Sequence, residues 1–293
     1  MKLDLATSYK ECEKLVKSQS TSFYLASKTL PSHKRKAIYA IYAFCRLCDD
    51  IVDNDNKPSK KKLALDEMRS SLQSVNKSSY QNPIIFAVND VINTYEIPIA
   101  YFKDLILGME SDIDFVKFNN FEELKVYCYR VASTVGLMCL NIFGYEDSKC
   151  KELAKDLGIA MQLTNIVRDI KEDFELGRVY LPKADLDNSG FKYDDLKNGN
   201  MNANFDKLIK IQISRAEKYF SNSKPLINLV SKDSQICLEL IAEVYIKLLK
   251  QMNKKPNLIL RQRTKLTFMN KIHLIIKCYV PIIKKRVIYS SLK

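Results

Sequence analysis

Residues 162–182 read QLTNIVRDIKEDFELGRVYLP. Gln162, Asn165, Asp169 and Asp173 recur three or four positions apart, so an α-helix sets two amides and two carboxylates along one face. Between them Leu163, Ile166, Val167 and Ile170 are large hydrophobes that need a core. The expectation is a helix buried on one side, with carboxylates lining a cleft. Buried charge of one sign needs a partner.

Working outward, residues 33–52 form a second strong helical stretch. Its polar exceptions are Arg46, Asp49, Asp50 and Asp53, and Asp49 and Asp53 share a face at four-residue spacing. Further helices are expected over 8–30, 61–75, two within 82–118, 121–143, 205–221, 225–230 and 234–252, with one long irregular stretch over 183–204 that reads as a loop or, in part, a short helix. Ser18, Ser20, Thr21 and Ser22 crowd the first of these, which marks either a break with a polar binding edge or the N-cap of a helix starting near Phe23. Ala132, Ser133, Thr134 and Gly136 permit close approach of a neighbouring helix or a ligand. Only seven glycines and eight prolines punctuate 293 residues and no series of short alternating strands occurs, so the fold class is all-α.

The net charge of +13 lies entirely in residues 247–293, which hold ten lysines, three arginines and no acid. Such a region suits an anionic membrane surface, nucleic acid, a phosphorylated ligand, or plain solvation. Eight irregularly spaced cysteines and the start MKLDLATSYK, which does not read as a signal peptide, point to a reducing cytoplasm. Cys45 and Cys48 form a C-x-x-C whose expected role is core packing. His33 and His273 are too isolated for a histidine metal site. No uninterrupted apolar run reaches the ~18 residues of a membrane span, so any membrane contact would be peripheral.

Mg²⁺ takes oxygen ligands, commonly one or two carboxylates plus substrate phosphates. Two helices presenting D-x-x-x-D pairs into one cavity, with Arg46, Arg168 and Arg178 beside them, suit a metal-bound diphosphate whose departure leaves an allylic carbocation. A different class of reading, a non-catalytic basic helical protein binding membrane or nucleic acid, accounts for the C-terminal region but leaves both acidic faces without a use.

Three longer stretches, YAFCRLCDDIVDN (42–54), YCYRVASTVGLMCLNI (127–142) and LGIAMQLTNIVRDIKEDFELGRVYLP (157–182), resemble the squalene and phytoene synthases. The resemblance spans nearly the whole chain and implies a single isoprenoid-synthase bundle over 1–293, built around a central cavity. It implies Mg²⁺, with Mn²⁺ as a substitute, held by Asp49, Asp53, Asn165, Asp169 and Asp173. It further implies contacts to diphosphate or substrate from Ser20, Thr21, Ser22, Phe23, Arg46, Arg168, Arg263 and Lys271, a cavity wall at Val131 and Gln162, and catalytic roles for Tyr127 and Tyr245 beside the aspartates. Tyrosine faces stabilise a cation without capturing it, with plain core packing as the alternative for either ring. Arg178 and Tyr180 would face the leaving group or lock the following loop.

The implied reaction joins two prenyl diphosphates head to head through a cyclopropyl diphosphate. SFYLASKTLP resembles phytoene synthases, and the small Ser27, one turn after Phe23, is expected to leave room for a C20 chain. Two geranylgeranyl diphosphates giving 15-cis-phytoene is therefore the expected reaction, with two farnesyl diphosphates giving dehydrosqualene or squalene as the alternative. NADPH is not expected, since no dinucleotide fingerprint is present. Prenyl diphosphates are the expected partners, nucleic acid is not, and the location is cytoplasmic or peripheral at the membrane.

Overall fold

The computed structural model describes residues 4–72, 82–267, 269–271, 273–274 and 276. The end of the helix expected over 61–75 and the final basic residues, 277–293, lie outside them. The described residues are helical, and the one β feature among them is an isolated bridge between Tyr145 and Val230.

The order is α1 (Leu5–Gln19), α2 (Thr21–Ser27), α3 (Ser32–Asp53), α4 (Pro58–Ser71), α5 (Pro83–Thr94), α6 (Ile99–Glu110), α7 (Phe121–Cys128), a π turn (Tyr129–Ser133), α8 (Thr134–Phe143), α9 (Cys150–Arg168), α10 (Ile170–Glu175), α11 (Lys183–Ser189), α12 (Tyr193–Lys197), α13 (Ala203–Ser223), α14 (Leu226–Leu229) and α15 (Gln235–Lys254). α9 sits at the centre, packed against α13, α8, α15 and the π turn. α3 packs against α1, α5 and α8, which brings the two acid-bearing helices to the same interior.

Local chemistry sets the ends. Ser20 breaks the first expected helix and also caps the second, its Oγ accepting from Phe23 N at 3.4 Å, so both readings of the hydroxyl cluster describe one residue. The chain leaves α8 through Gly144 at φ +80°, a backbone conformation suited to glycine. The small-residue run serves helix approach: a Cβ on Gly158 of α9 would lie 2.5 Å from Ser133 Cα. Ser133 Oγ then donates to Lys155 O at 2.7 Å across that contact.

Two expectations change here. The stretch 183–204 is largely helical, as α11 and α12, because local caps such as Asp195 accepting from Lys192 N organise an Asn- and Asp-rich segment. The continuous helix 121–143 is long and apolar enough, by length and composition, to cross a membrane, but 56% of its most apolar window is buried within the protein. It serves as a core helix of the bundle.

Candidate active site

The quoted stretch is not one helix. α9 ends at Arg168, and Asp169, at φ −106° and ψ 14°, separates it from α10. Four-residue hydrogen bonding survives the break, since Asp169 N donates to Asn165 O and Asp173 N donates to Asp169 O, each at 2.8 Å. The kink therefore keeps Asn165, Asp169 and Asp173 in sequence along one side, the order the spacing implies.

Asp49 and Asp53 stand at the end of α3, facing the second pair. Burial, then repulsion from Asp53, pushes Asp49 up to about 7. Burial, then repulsion from Asp169, with Asp112 and Asp53 adding to it, pushes Asp173 up to about 8. Carboxylates that feel one another across two helices form one electrostatic unit. Arginines border it: Arg178 donates to Asp53 Oδ1 at 2.8 Å, and Arg46 pairs with Asp50 at 2.5 Å. Asp169 is gripped twice, by Arg168 through Nε (2.8 Å) and by Arg263 through Nε (2.7 Å) and a terminal nitrogen (3.1 Å). Burial raises the Asp169 carboxyl, but these two guanidiniums outweigh it and hold it below the usual range.

Aromatic groups complete the unit. Tyr42 of α3 stacks on Phe23 at 5.0 Å, is hydrogen-bonded by Ser20, and faces Arg46, Asp49 and Tyr245. Tyr245 of α15 also faces Arg168. Tyr127 and Tyr180, ring centroids 5.0 Å apart, donate to the two oxygens of Asp112 at 2.9 and 2.8 Å. Burial, then the Asp112 charge, pushes both phenols up. They remain protonated.

Behind the acids, the Cys45 thiol of α3 and the Cys139 thiol of α8 face each other. Burial pushes Cys45 well up and Cys139 to about 12, yet both keep accessible surface. Both thiols lie in the apolar interior behind the acids. Half-buried Val135 of α8, Met161 of α9, and Val244 and Ile246 of α15 pack against the same core. Cys48 is fully buried, and both cysteines of the C-x-x-C are free thiols in the apolar interior.

The structure thus brings together Ser20, Phe23, Arg46, Asp49, Asp53, Tyr127, Asp169, Arg168, Asp173, Tyr245 and Arg263. Gln162 Oε1 accepts from Asn165 Nδ2 at 3.2 Å, and Val131, in the π turn, lies against Gly108 of α6. Thr21 is exposed and Ser22 half-buried at the start of α2. Lys271 N donates to Thr267 O at 3.1 Å. Ser27 has 0% exposure, its Oγ donates to Phe23 O at 2.9 Å, and it meets the Cys237 thiol where α2 packs on α15. Asp112 went unnoticed in the sequence.

These residues suit a hard divalent cation. Asn165 Oδ1 is buried without a hydrogen-bond partner, on the side of α9 that leads to Asp169 and Asp173, and burial followed by repulsion raises the Asp49 and Asp173 carboxyls. Among the described residues no group of three acidic, Cys or His side chains is placed to hold a metal ion by itself. Asp49 and Asp173 rise from 3.8 in the unfolded chain to about 7 and about 8. A carboxyl raised by folding stabilises the fold fully below 3.8 and loses that contribution as pH climbs through its folded value. Metal-free protein is therefore expected to melt lower at pH 8 than at pH 5.5, and Mg²⁺ to raise the melting temperature more at pH 8. Equal Mg²⁺ shifts at both pH values, read by thermal melting, would contradict this.

Comparison with known proteins agrees with the geometry. Residues 16–270 match the squalene/phytoene synthase family. The chain is 34% identical over 275 residues to the phytoene synthase of Mycobacterium tuberculosis, covering 92% of this chain and 89% of the relative. It is 34% identical over 239 residues to the 15-cis-phytoene synthase of a Synechocystis strain, covering 78% and 71%. A solved dehydrosqualene synthase with bound ligand superposes with a TM-score of 0.85 at 31% identity, over 96% of this chain and 98% of the other. The squalene synthase HpnC of Alicyclobacillus acidocaldarius follows at 0.78 and 28%, over 86% and 95%. With two facing carboxylate pairs inside an all-α bundle and a family match over most of its length, the chain belongs to the squalene/phytoene synthase family.

Proposed function

We propose that this prenyltransferase joins two geranylgeranyl diphosphates head to head, through a cyclopropyl diphosphate, to 15-cis-phytoene. The observation that carries the reading is the single electrostatic unit made by Asp49 and Asp53 with Asp169 and Asp173, bordered by arginines inside an all-α bundle. Asp49, Asp53, Asn165, Asp169 and Asp173 would hold Mg²⁺ or Mn²⁺. When bound, the ion supplies Lewis-acid neutralisation of the charge that develops on a departing diphosphate.

The chain's own residues do the rest. Arg46, Arg168, Arg178 and Arg263 offer planar guanidiniums to phosphate oxygens, and the last three pair with Asp53 or Asp169. Cys45, Cys139 and their apolar neighbours exclude water from the hydrocarbon. Protonated Tyr127 and Tyr180 present ring faces to a cation while offering no phenolate to trap it. The basic stretch 247–293 supports a cytoplasmic enzyme resting peripherally on an anionic membrane that receives the product.

The phytoene synthase relatives support the C20 substrate. Condensation of two farnesyl diphosphates to dehydrosqualene is the second reading, favoured by the superposition on a dehydrosqualene synthase. Both substrates offered together, with and without NADPH, and products resolved by chromatography and mass spectrometry, decide between them. A C40 hydrocarbon that forms without NADPH is the expected result. A C30 product would establish the second reading, and turnover of neither substrate would overturn both.

A further inference from the structure

Asp112 follows the end of α6 and is 7% exposed, a carboxylate that belongs to neither D-x-x-x-D pair. Oδ2 accepts from Tyr127 of α7 and Oδ1 from Tyr180, two residues beyond Arg178. One side chain thus joins the α6–α7 connection, α7 and the segment after the second acid pair. Around it the rings form a box: Tyr127 and Tyr180 stack at 5.0 Å, Phe118 lies 5.6 Å from Tyr127, and Phe115 lies edge-on to Tyr180 at 5.1 Å. Asp112 also faces Arg178, Asp53, Asp49 and Asp173, so the box borders the metal-binding carboxylates.

Two phenols donating to one carboxylate are held in one orientation, with their protons committed. Hydrogen bonding to an anion also enriches a phenol ring in electrons, which deepens the negative potential of its face. A staple between loops would not need a charge here, because burying one is costly unless the charge is used. We propose that Asp112 is a positioning residue for the condensation, holding Tyr127 and Tyr180 as a stacked, electron-rich pair that stabilises the carbocation formed as diphosphate leaves. This rests on the prenyl diphosphate reading given above.

The test compares Asp112→Asn, Tyr127→Phe, Tyr180→Phe, the double Phe variant and the triple variant, with kcat, KM, melting temperature and products measured for each. Asp112→Asn is expected to lower kcat about 30-fold, on the order of a desolvated cation–π contact, with KM within about twofold. Prenyl alcohol from water capture should rise as a share of product. In the double Phe background the same substitution should change kcat by less than about threefold, since its route of action is gone. Unchanged kcat in Asp112→Asn, or the full loss persisting in the Phe background, would overturn the assignment. If Asp112→Asn does not fold, the two single Phe variants decide: severalfold lower kcat at preserved KM supports the proposal, and unchanged kcat in both overturns it. Wild-type protein inert toward prenyl diphosphates would overturn the functional reading itself, whereas wild-type turnover with indifferent variants overturns the role of Asp112 alone.

Discussion

Asp173→Asn is expected to cut diphosphate release from geranylgeranyl diphosphate by about 10²–10³-fold while leaving the protein as stable as before, or more so. The size of the loss follows from removing one pre-organised charge at the point where negative charge develops. The sign of the stability change follows from the site itself. Burial and the neighbouring Asp169, Asp112 and Asp53 push the Asp173 carboxyl to about 8, so its ionised form is a cost in the metal-free fold. Asparagine keeps the shape and removes that cost. Steady-state turnover with thermal melting checks both halves; turnover within about threefold of wild type would remove Asp173 from the site.

Arg178→Ala should behave oppositely in stability. Its guanidinium donates to Asp53 Oδ1 at 2.8 Å and faces Asp112, Tyr180 and Asp173, so it is the cation that borders both acid pairs. Without it the carboxylates repel one another with less compensation, and the melting temperature of the metal-free protein should fall. Turnover should drop about 10²-fold, with part of the loss recovered at raised Mg²⁺, because the bared carboxylates attract the ion more strongly. Arg178→Lys restores a charge without the planar fork and should recover only part of the activity. A titration of turnover against Mg²⁺ that is parallel in wild type and Arg178→Ala would contradict this account.

Both predictions concern residues whose surroundings the sequence conveyed unequally. The acid pairs were legible because a carboxylate every fourth residue inside an apolar stretch has few structural uses, and the spacing survives even the break at Asp169. The break itself was not legible, since a kink that preserves four-residue hydrogen bonding leaves the pattern intact. Ser27 is ambiguous in the sequence because a small side chain signals close packing and open space alike; in the fold it packs against Cys237. Asp112 gave no signal. It sits in the acidic run ESDID after a helix end, which reads as a solvated turn, and its burial comes from tyrosines 15 and 68 positions away. Arg263 was reached through a loose resemblance, and the structure gives it a definite partner in Asp169 across 94 positions.

The central claim is that the two carboxylate pairs act together as a cation-dependent diphosphate clamp. Its most direct test is diphosphate release from geranylgeranyl diphosphate by purified protein in Mg²⁺, followed by chelation and then re-addition of the ion. Release that stops on chelation, returns with Mg²⁺, and is lost alike in Asp49→Asn and Asp173→Asn is the predicted result. Release that continues through chelation, or that survives loss of either pair, would contradict it.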